Sequence, residues 1–211
     1  MTTTTARQHA ATTLRRPDAV PAHERRAARL AGVALAALAV LSVPATALLE
    51  TADRPGVRGV VGVAFVTVAV LEVVVGWGLY LLLRERAHSP AYATLLSRGG
   101  YAVLLTAAAG RLLWPGGDGI EGFRTDWSLA LLVLGVHLLV TAVALWSARR
   151  VPGAVVAGTV VAGTSSLLAA MGGDLPLPDV LPGAGALLPV VLGEVVLLAW
   201  LAMTGWDDDG G

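Results

Sequence analysis

The chain has 211 residues, of which 55% are hydrophobic and 14% charged, with a mean hydropathy of +0.72 and a formal net charge of zero. Soluble domains carry about 25% charged residues, and one core of this size cannot hide so much apolar surface, so the composition describes a membrane protein of about one domain. There is no lysine, which excludes Schiff-base chemistry of the retinal or pyridoxal type, and no cysteine, which excludes disulfides, thiolate metal sites and haem thioether links. No cofactor is implied.

Residues 1–26, opening MTTTTARQHAATTLRRPDAVPAHERR, lack hydrophobic periodicity and read as a disordered basic tail. Beside a membrane segment, its arginines read as a topology signal and an anionic-lipid contact rather than a nucleic-acid site. Six apolar segments follow, at 28–49, 59–83, 93–114, 128–147, 154–171 and 187–204. Spanning a hydrocarbon core takes about 17–25 residues, and all six qualify. The segments between them carry the Pro, Gly and charge of turns, and Asp207, Asp208 and Asp209 belong to an acidic tail at 207–211. The expected fold is all-α, a six-span polytopic bundle. A rival reading takes "ATA" at 45–47 as a signal-peptide cleavage site, leaving five spans. The long basic region and the continuation through Leu48 and Leu49 favour a retained span.

Arginine placement sets the orientation. With the N-terminus inside, Arg7, Arg15, Arg16, Arg25, Arg26, Arg29, Arg84, Arg86, Arg98, Arg149 and Arg150 lie on the cytoplasmic side. Only Arg54, Arg58, Arg111 and Arg124 then lie outside. Cytoplasmic loops hold the excess of basic residues, so both termini are expected inside the cell membrane. Trp114 and Trp127 belong to the outer aromatic belt, and Tyr80, Trp146 and Trp206 to the inner one.

Three spans contain an ionisable residue where lipid would not tolerate it. Glu72 lies twelve residues before Arg84, His137 twelve before Arg149, and Glu194 twelve before Trp206. At about 1.5 Å per residue each is roughly 18 Å from the inner boundary, so the three share one level near the midplane. A charge there costs about 2.5–3.5 kcal/mol on insertion scales. The fifteen Val, Leu and Phe residues of 59–83 offset that for Glu72. Glu194 has only Val190, Val191, Leu197 and Leu198 at i±3 and i±4, so its partner must come from another helix, water or a ligand. Arg98 is expected to snorkel to the interface; pairing with Glu72 or Glu194 needs its full reach. Arg54 and Arg111 read as outer anchors, His9, His23 and His88 as solvated, and Asp118, Glu121 and Asp126 as an acidic outer loop. In the fifth segment Ala154, Gly158, Ala162, Ser166 and Ala170 recur every four residues, a small-residue stripe expected to face the bundle.

Four stretches carry a family resemblance: RRAARLAGVALAALAVLSVPATALLE (25–50), VLEVVVGWGLYLLLRERAHSPAYATLLSRGGYAV (70–103), LGVHLLVTAVALWSARRVPG (134–153) and GEVVLLAWLAMTG (193–205). Together they resemble the bacterial integral-membrane family known as domain of unknown function 4386. The resemblance implies six spans, with family positions falling on Glu72, Arg98, His137 with Leu138, Val151 with Pro152, Glu194, and Trp200 with Leu201. Glu72 stands where the family pattern has Asp, and span one has few aromatics. No activity comes with the family.

Three functions fit these residues. A polar cavity among Glu72, His137, Glu194 and Arg98 could serve proton-coupled or small-ligand transport. Glu72, His137 and Glu194 could hold a divalent ion such as zinc in a membrane-embedded hydrolase. The plainest reading is a hydrogen-bonded network that fixes helix packing. No phosphate-binding glycine loop, HExxH or GxSxG motif is present. Substrate and oligomeric state leave no trace in the sequence.

Overall fold

Hydrocarbon offers the backbone no hydrogen-bond partner, so runs of Val, Leu and Ala of this length satisfy their amides internally, as helices. A computed structural model describes residues 20–52, 54–114, 119–171 and 188–206. Among these it contains six helices and no strand: α1 (Ala22–Leu49), α2 (Pro55–Leu83), α3 (His88–Leu113), α4 (Gly119–Ser147), α5 (Gly153–Ala170) and α6 (Leu188–Trp206). Five are long and apolar enough to cross a membrane, the exception being α3.

The exception has a physical cause. Helix α3 carries Thr94, Ser97 and Arg98 in its first half and Tyr101 just beyond, which lowers its hydropathy. It nevertheless runs the length of its neighbour. Gly62 of α2 faces Leu112 and Leu113, and Gly76 faces Arg98 and Leu95, so the pair is antiparallel over that whole stretch. At about 1.5 Å per residue its 26 residues extend roughly 39 Å. Where α2 crosses, α3 crosses with it.

Each helix packs on its sequence neighbours, and α6 packs on α1, closing a ring of six. The closing pair is antiparallel too: Gly32 faces Leu201, and Gly205 faces Arg29. Arg29 Nε donates to the Gly205 carbonyl, and its guanidinium lies 5.9 Å from the Trp206 ring centroid. The outer surface is apolar, with Val40, Val60, Val103 and Val143 more than half exposed. The ionisable side chains Glu72, Arg98 and His137 turn inward instead. That inversion is what a lipid-facing bundle requires.

Several helices begin earlier than the apolar segments do. Helix α4 starts at Gly119 rather than 128, so Glu121 and Asp126 lie in its opening turns, where the sequence suggested a loop; Asp118 lies outside the described residues. Arg111 of α3 donates to Asp126 at 2.9 Å, joining the two helices beyond their apolar stretch. Helix α1 starts at Ala22, so residues 22–26 are helical rather than part of a disordered tail. Contacts with the segment after α2 hold them there: His23 Nε2 lies 3.0 Å from Glu85 Oε1, and Glu24 pairs with Arg86 at 2.9 Å. His23 is therefore paired rather than simply solvated. Residues 1–19 and 207–211 lie outside the described residues, as does His9.

The small-residue stripe of α5 faces its neighbours except at Ala154, which is exposed. Ser166 Oγ donates to the Leu131 carbonyl of α4 at 2.8 Å, and Ala162 packs on Gly193 of α6. The α5–α6 crossing is the closest approach of the two backbones. A Cβ at Gly193 would lie 2.6 Å from both the Ala162 Cβ and the Gly158 carbonyl oxygen. A Cβ at Gly158 meets nothing nearer than 3.8 Å. Gly193→Ala should therefore lower the unfolding midpoint in detergent, by the roughly 1–3 kcal/mol typical of overpacking, while Gly158→Ala should change it little. Equal effects of the two substitutions would contradict this crossing geometry.

Candidate functional site

Two apolar layers fill the ring. The one nearer the start of α2 and the end of α3 contains Phe65, Leu105, Phe123 and Leu134, with the Phe65, Phe123 and Trp127 rings in tilted and edge-on contact at 5.0–5.3 Å between centroids. Trp127, assigned from sequence to an aromatic belt, is thus half-buried in this cluster. The layer nearer the termini contains Leu79, Leu145, Leu197 and Leu201. Between the two lies a group of ionisable side chains.

Arg98 is its centre and is completely buried. The snorkelling expected from sequence does not occur. Helix α3 begins at His88 rather than 93, which sets Arg98 almost three turns inside. Its Nε lies 2.5 Å from Glu72 Oε2, an ion-pair contact that lacks the alignment of a hydrogen bond. Its Nη1 lies 3.2 Å from His137 Nε2. Its Nη2 lies 3.9 Å from Glu194 Oε1, within ion-pair range but beyond a hydrogen bond. The structure thus brings together all four residues singled out in the sequence, from α2, α3, α4 and α6.

The hydrogen bonds assign the imidazole's protonation. Arginine only donates, so His137 Nε2 must accept from Nη1 and carry no proton. The ring proton then sits on Nδ1, 3.0 Å from Ser97 Oγ. Ser97 can accept it because its own hydroxyl donates to the Ala93 carbonyl at 2.8 Å. Thr141, one turn after His137, donates to the His137 carbonyl at 2.9 Å. His137 is neutral in this arrangement.

Ionised, Glu72 and Glu194 place two negative charges against the one positive charge of Arg98. Their environments differ. The Glu72 side chain is 3% exposed and in contact with the guanidinium, whereas that of Glu194 is 18% exposed and held at greater distance. Arg98 Nη2 and Thr94 Oγ1, one turn apart and both buried, have no hydrogen-bond partner among the described residues. A divalent metal does not suit this donor set: both imidazole nitrogens are engaged, and a guanidinium occupies the position between the carboxylates.

Sequence reasoning passed over Ser97, Thr141, Thr94 and Tyr101. The signal was helical spacing. Thr94 precedes Arg98 by one turn and Thr141 follows His137 by one turn, so each shares a face with its ionisable neighbour. Comparison with family models, with curated proteins and with solved structures finds no match.

Removing one member of a buried ion pair leaves an uncompensated charge, at a cost of roughly 3–5 kcal/mol. Glu72→Leu and Arg98→Met should each lower the unfolding midpoint strongly, and the double variant should lose less than the two combined. Glu194→Gln, at a looser and partly exposed contact, should cost least. Additive losses for Glu72 and Arg98, measured as a double-mutant cycle in detergent, would deny their coupling.

Proposed function

We propose that the protein is a multi-pass integral membrane protein that exchanges a proton at its buried centre, with Glu194 as the exchanging carboxylate, in the manner of a proton-coupled transporter. One observation carries this reading: two carboxylates share one guanidinium, so the centre has one negative charge too many when both are ionised. A proton is the smallest species that removes the surplus within a packed interior. Glu194 is the carboxylate suited to gain and lose it, being the less tightly held and the partly exposed one. Glu72, Arg98 and His137 form the fixed part, which keeps the positive charge in place while Glu194 changes state. Ionisable residues within membrane segments that pair with one another characteristically mark such pathways.

A second reading treats the cluster as packing only. The apolar layers on both sides favour it, since they separate the centre from either end of the bundle. The two readings differ in flux. In liposomes containing the purified protein and an entrapped pH-sensitive dye, an imposed pH gradient should collapse faster than in empty liposomes. Glu194→Gln should remove the difference while leaving the protein folded. Wild-type flux no greater than that of empty liposomes would overturn proton exchange through Glu194 in the absence of a co-transported solute.

The proposed setting is the cell membrane with both termini inside, supported by the arginine bias. Antiparallel packing of all six helices puts Ala22 and Trp206 at one end of the bundle. Membership of the domain of unknown function 4386 family remains a proposal, resting on the sequence pattern whose ionisable positions meet at Arg98. Reporter fusions after residue 211 and within 115–127 should read inside and outside respectively. The opposite pair of readings would reverse the topology.

A further inference from the structure

The end of the bundle that carries both termini contains a cavity of about 280 Å³. It is separate from the ionic centre, from which the apolar layer of Leu79, Leu145, Leu197 and Leu201 divides it. Four parts of the ring build its wall: the start of α1, the end of α2, the turn between α4 and α5, and the end of α6. Trp200, Leu82 and Val151 supply apolar surface, and Glu24, Arg86 and Arg150 supply charge.

The charges do not cancel. Glu24 is buried and already paired with Arg86 at 2.9 Å, so that pair is neutral. Arg150 has no ion pair or hydrogen bond among the described residues. Among the described residues that line it, the cavity therefore has one surplus positive charge beside an indole and aliphatic wall. A cation is disfavoured here. His23, Glu24 and Glu85 do bring ligand atoms within 4.8 Å of one another, but Arg86 occupies Glu24.

We infer that this cavity binds an anion carried on an apolar body, with the phosphate or carboxylate on Arg150 and the apolar part against Trp200, Leu82 and Val151. The planar guanidinium is suited to oxyanion recognition. Small-ligand sites characteristically combine an apolar wall with a few convergent polar groups. The same chemistry belongs to an anionic lipid and to a free amphiphilic anion. Neither source depends on the proton reading of the ionic centre, nor on which side of the membrane this end faces.

The neighbouring arginine provides the control. Arg149 is exposed like Arg150 and adjoins it, yet does not line the cavity. General attraction of anions to a basic helix end would depend on both residues alike. Site binding depends on Arg150 alone.

The test uses the full chain in neutral-detergent micelles, titrated with dioleoyl phosphatidylglycerol, with octyl phosphate, and with dioleoyl phosphatidylcholine as the uncharged comparison. Binding is read by native mass spectrometry and by thermal shift. At least one of the two anions should bind and the uncharged lipid should not. Arg150→Gln should weaken binding on the order of tenfold or more, as loss of a charge-assisted hydrogen bond implies. Val151→Phe, which fills the cavity without altering charge, should weaken it as well, and Arg149→Gln should leave it unchanged. Saturation by phosphatidylglycerol alone identifies a lipid site, and saturation by octyl phosphate as well identifies an amphiphile site; both support the inference. Failure of both anions to bind, or equal losses in the Arg149 and Arg150 variants, overturns it.

Discussion

A guanidinium fully buried in a membrane bundle is the constraint on which the rest of this structure depends. Arg98 cannot shed its proton to escape the hydrocarbon, because arginine stays charged at any accessible pH. The protein must therefore bring counter-charge and acceptors to it, and these come from three other helices: Glu72 of α2, His137 of α4 and Glu194 of α6. Compensating the charge of one side chain thus fixes the mutual rotation of four helices. The neutrality of His137 follows from the same demand, since an imidazolium would face Arg98 with a donor where an acceptor is needed.

Once the arginine is placed, the odd composition of α3 is explained. It falls short of the apolarity of its neighbours, and read alone it is the poorest candidate to cross a membrane. The polar residues of its first half turn away from lipid, however, and exposed Thr106 donates its hydroxyl to the Ala102 carbonyl of its own helix. Thr94, Arg98 and Tyr101 are buried, and Ser97 is turned to His137. Helices α2 and α4 flank it and supply the solvent that its polar face needs. A helix may carry this much polarity across a bilayer when its neighbours receive it.

Hydropathy made the number and order of the helices legible, because each apolar run falls within the roughly 17–25 residues that can span the hydrocarbon core. It could not fix where helices begin. Hydropathy reports the hydrocarbon thickness, whereas α1, α3 and α4 extend beyond it through turns held by ion pairs such as Glu24–Arg86 and Arg111–Asp126. Misplacing the start of α3 by five residues was enough to send Arg98 to the interface in the sequence reading. Depth along each helix was better determined, because it counts residues back from a charged or aromatic end. That count put Glu72, His137 and Glu194 at one level, where they are found around Arg98. Rotation about the helix axis was not legible at all in α4. Buried His137 lies on one regular inward face, flanked by exposed Val136 and buried Leu138, but both neighbours are apolar, so side-chain type does not separate the outward face from the inward one.

The asymmetry between the two carboxylates has its origin in the ring's construction. Helices α2, α3 and α4 are long and consecutive, and they pack on one another more extensively than α6 packs on α5 or α1. Glu72 and His137 therefore approach Arg98 from well-anchored helices. Glu194 approaches from the helix with the sparsest contacts. Its position relative to Arg98 is set by the Gly193 crossing with α5 on one side and the Arg29–Gly205 contact with α1 on the other. A small displacement of α6 would change the Glu194–Arg98 separation while leaving Glu72 in contact. At 3.9 Å that separation is already past hydrogen-bond length, so the electrostatic attraction resisting displacement is weaker than at Glu72. The proposed exchange of a proton at Glu194 would consequently need movement only where the ring is most loosely closed, with the charge of Arg98 still compensated by Glu72.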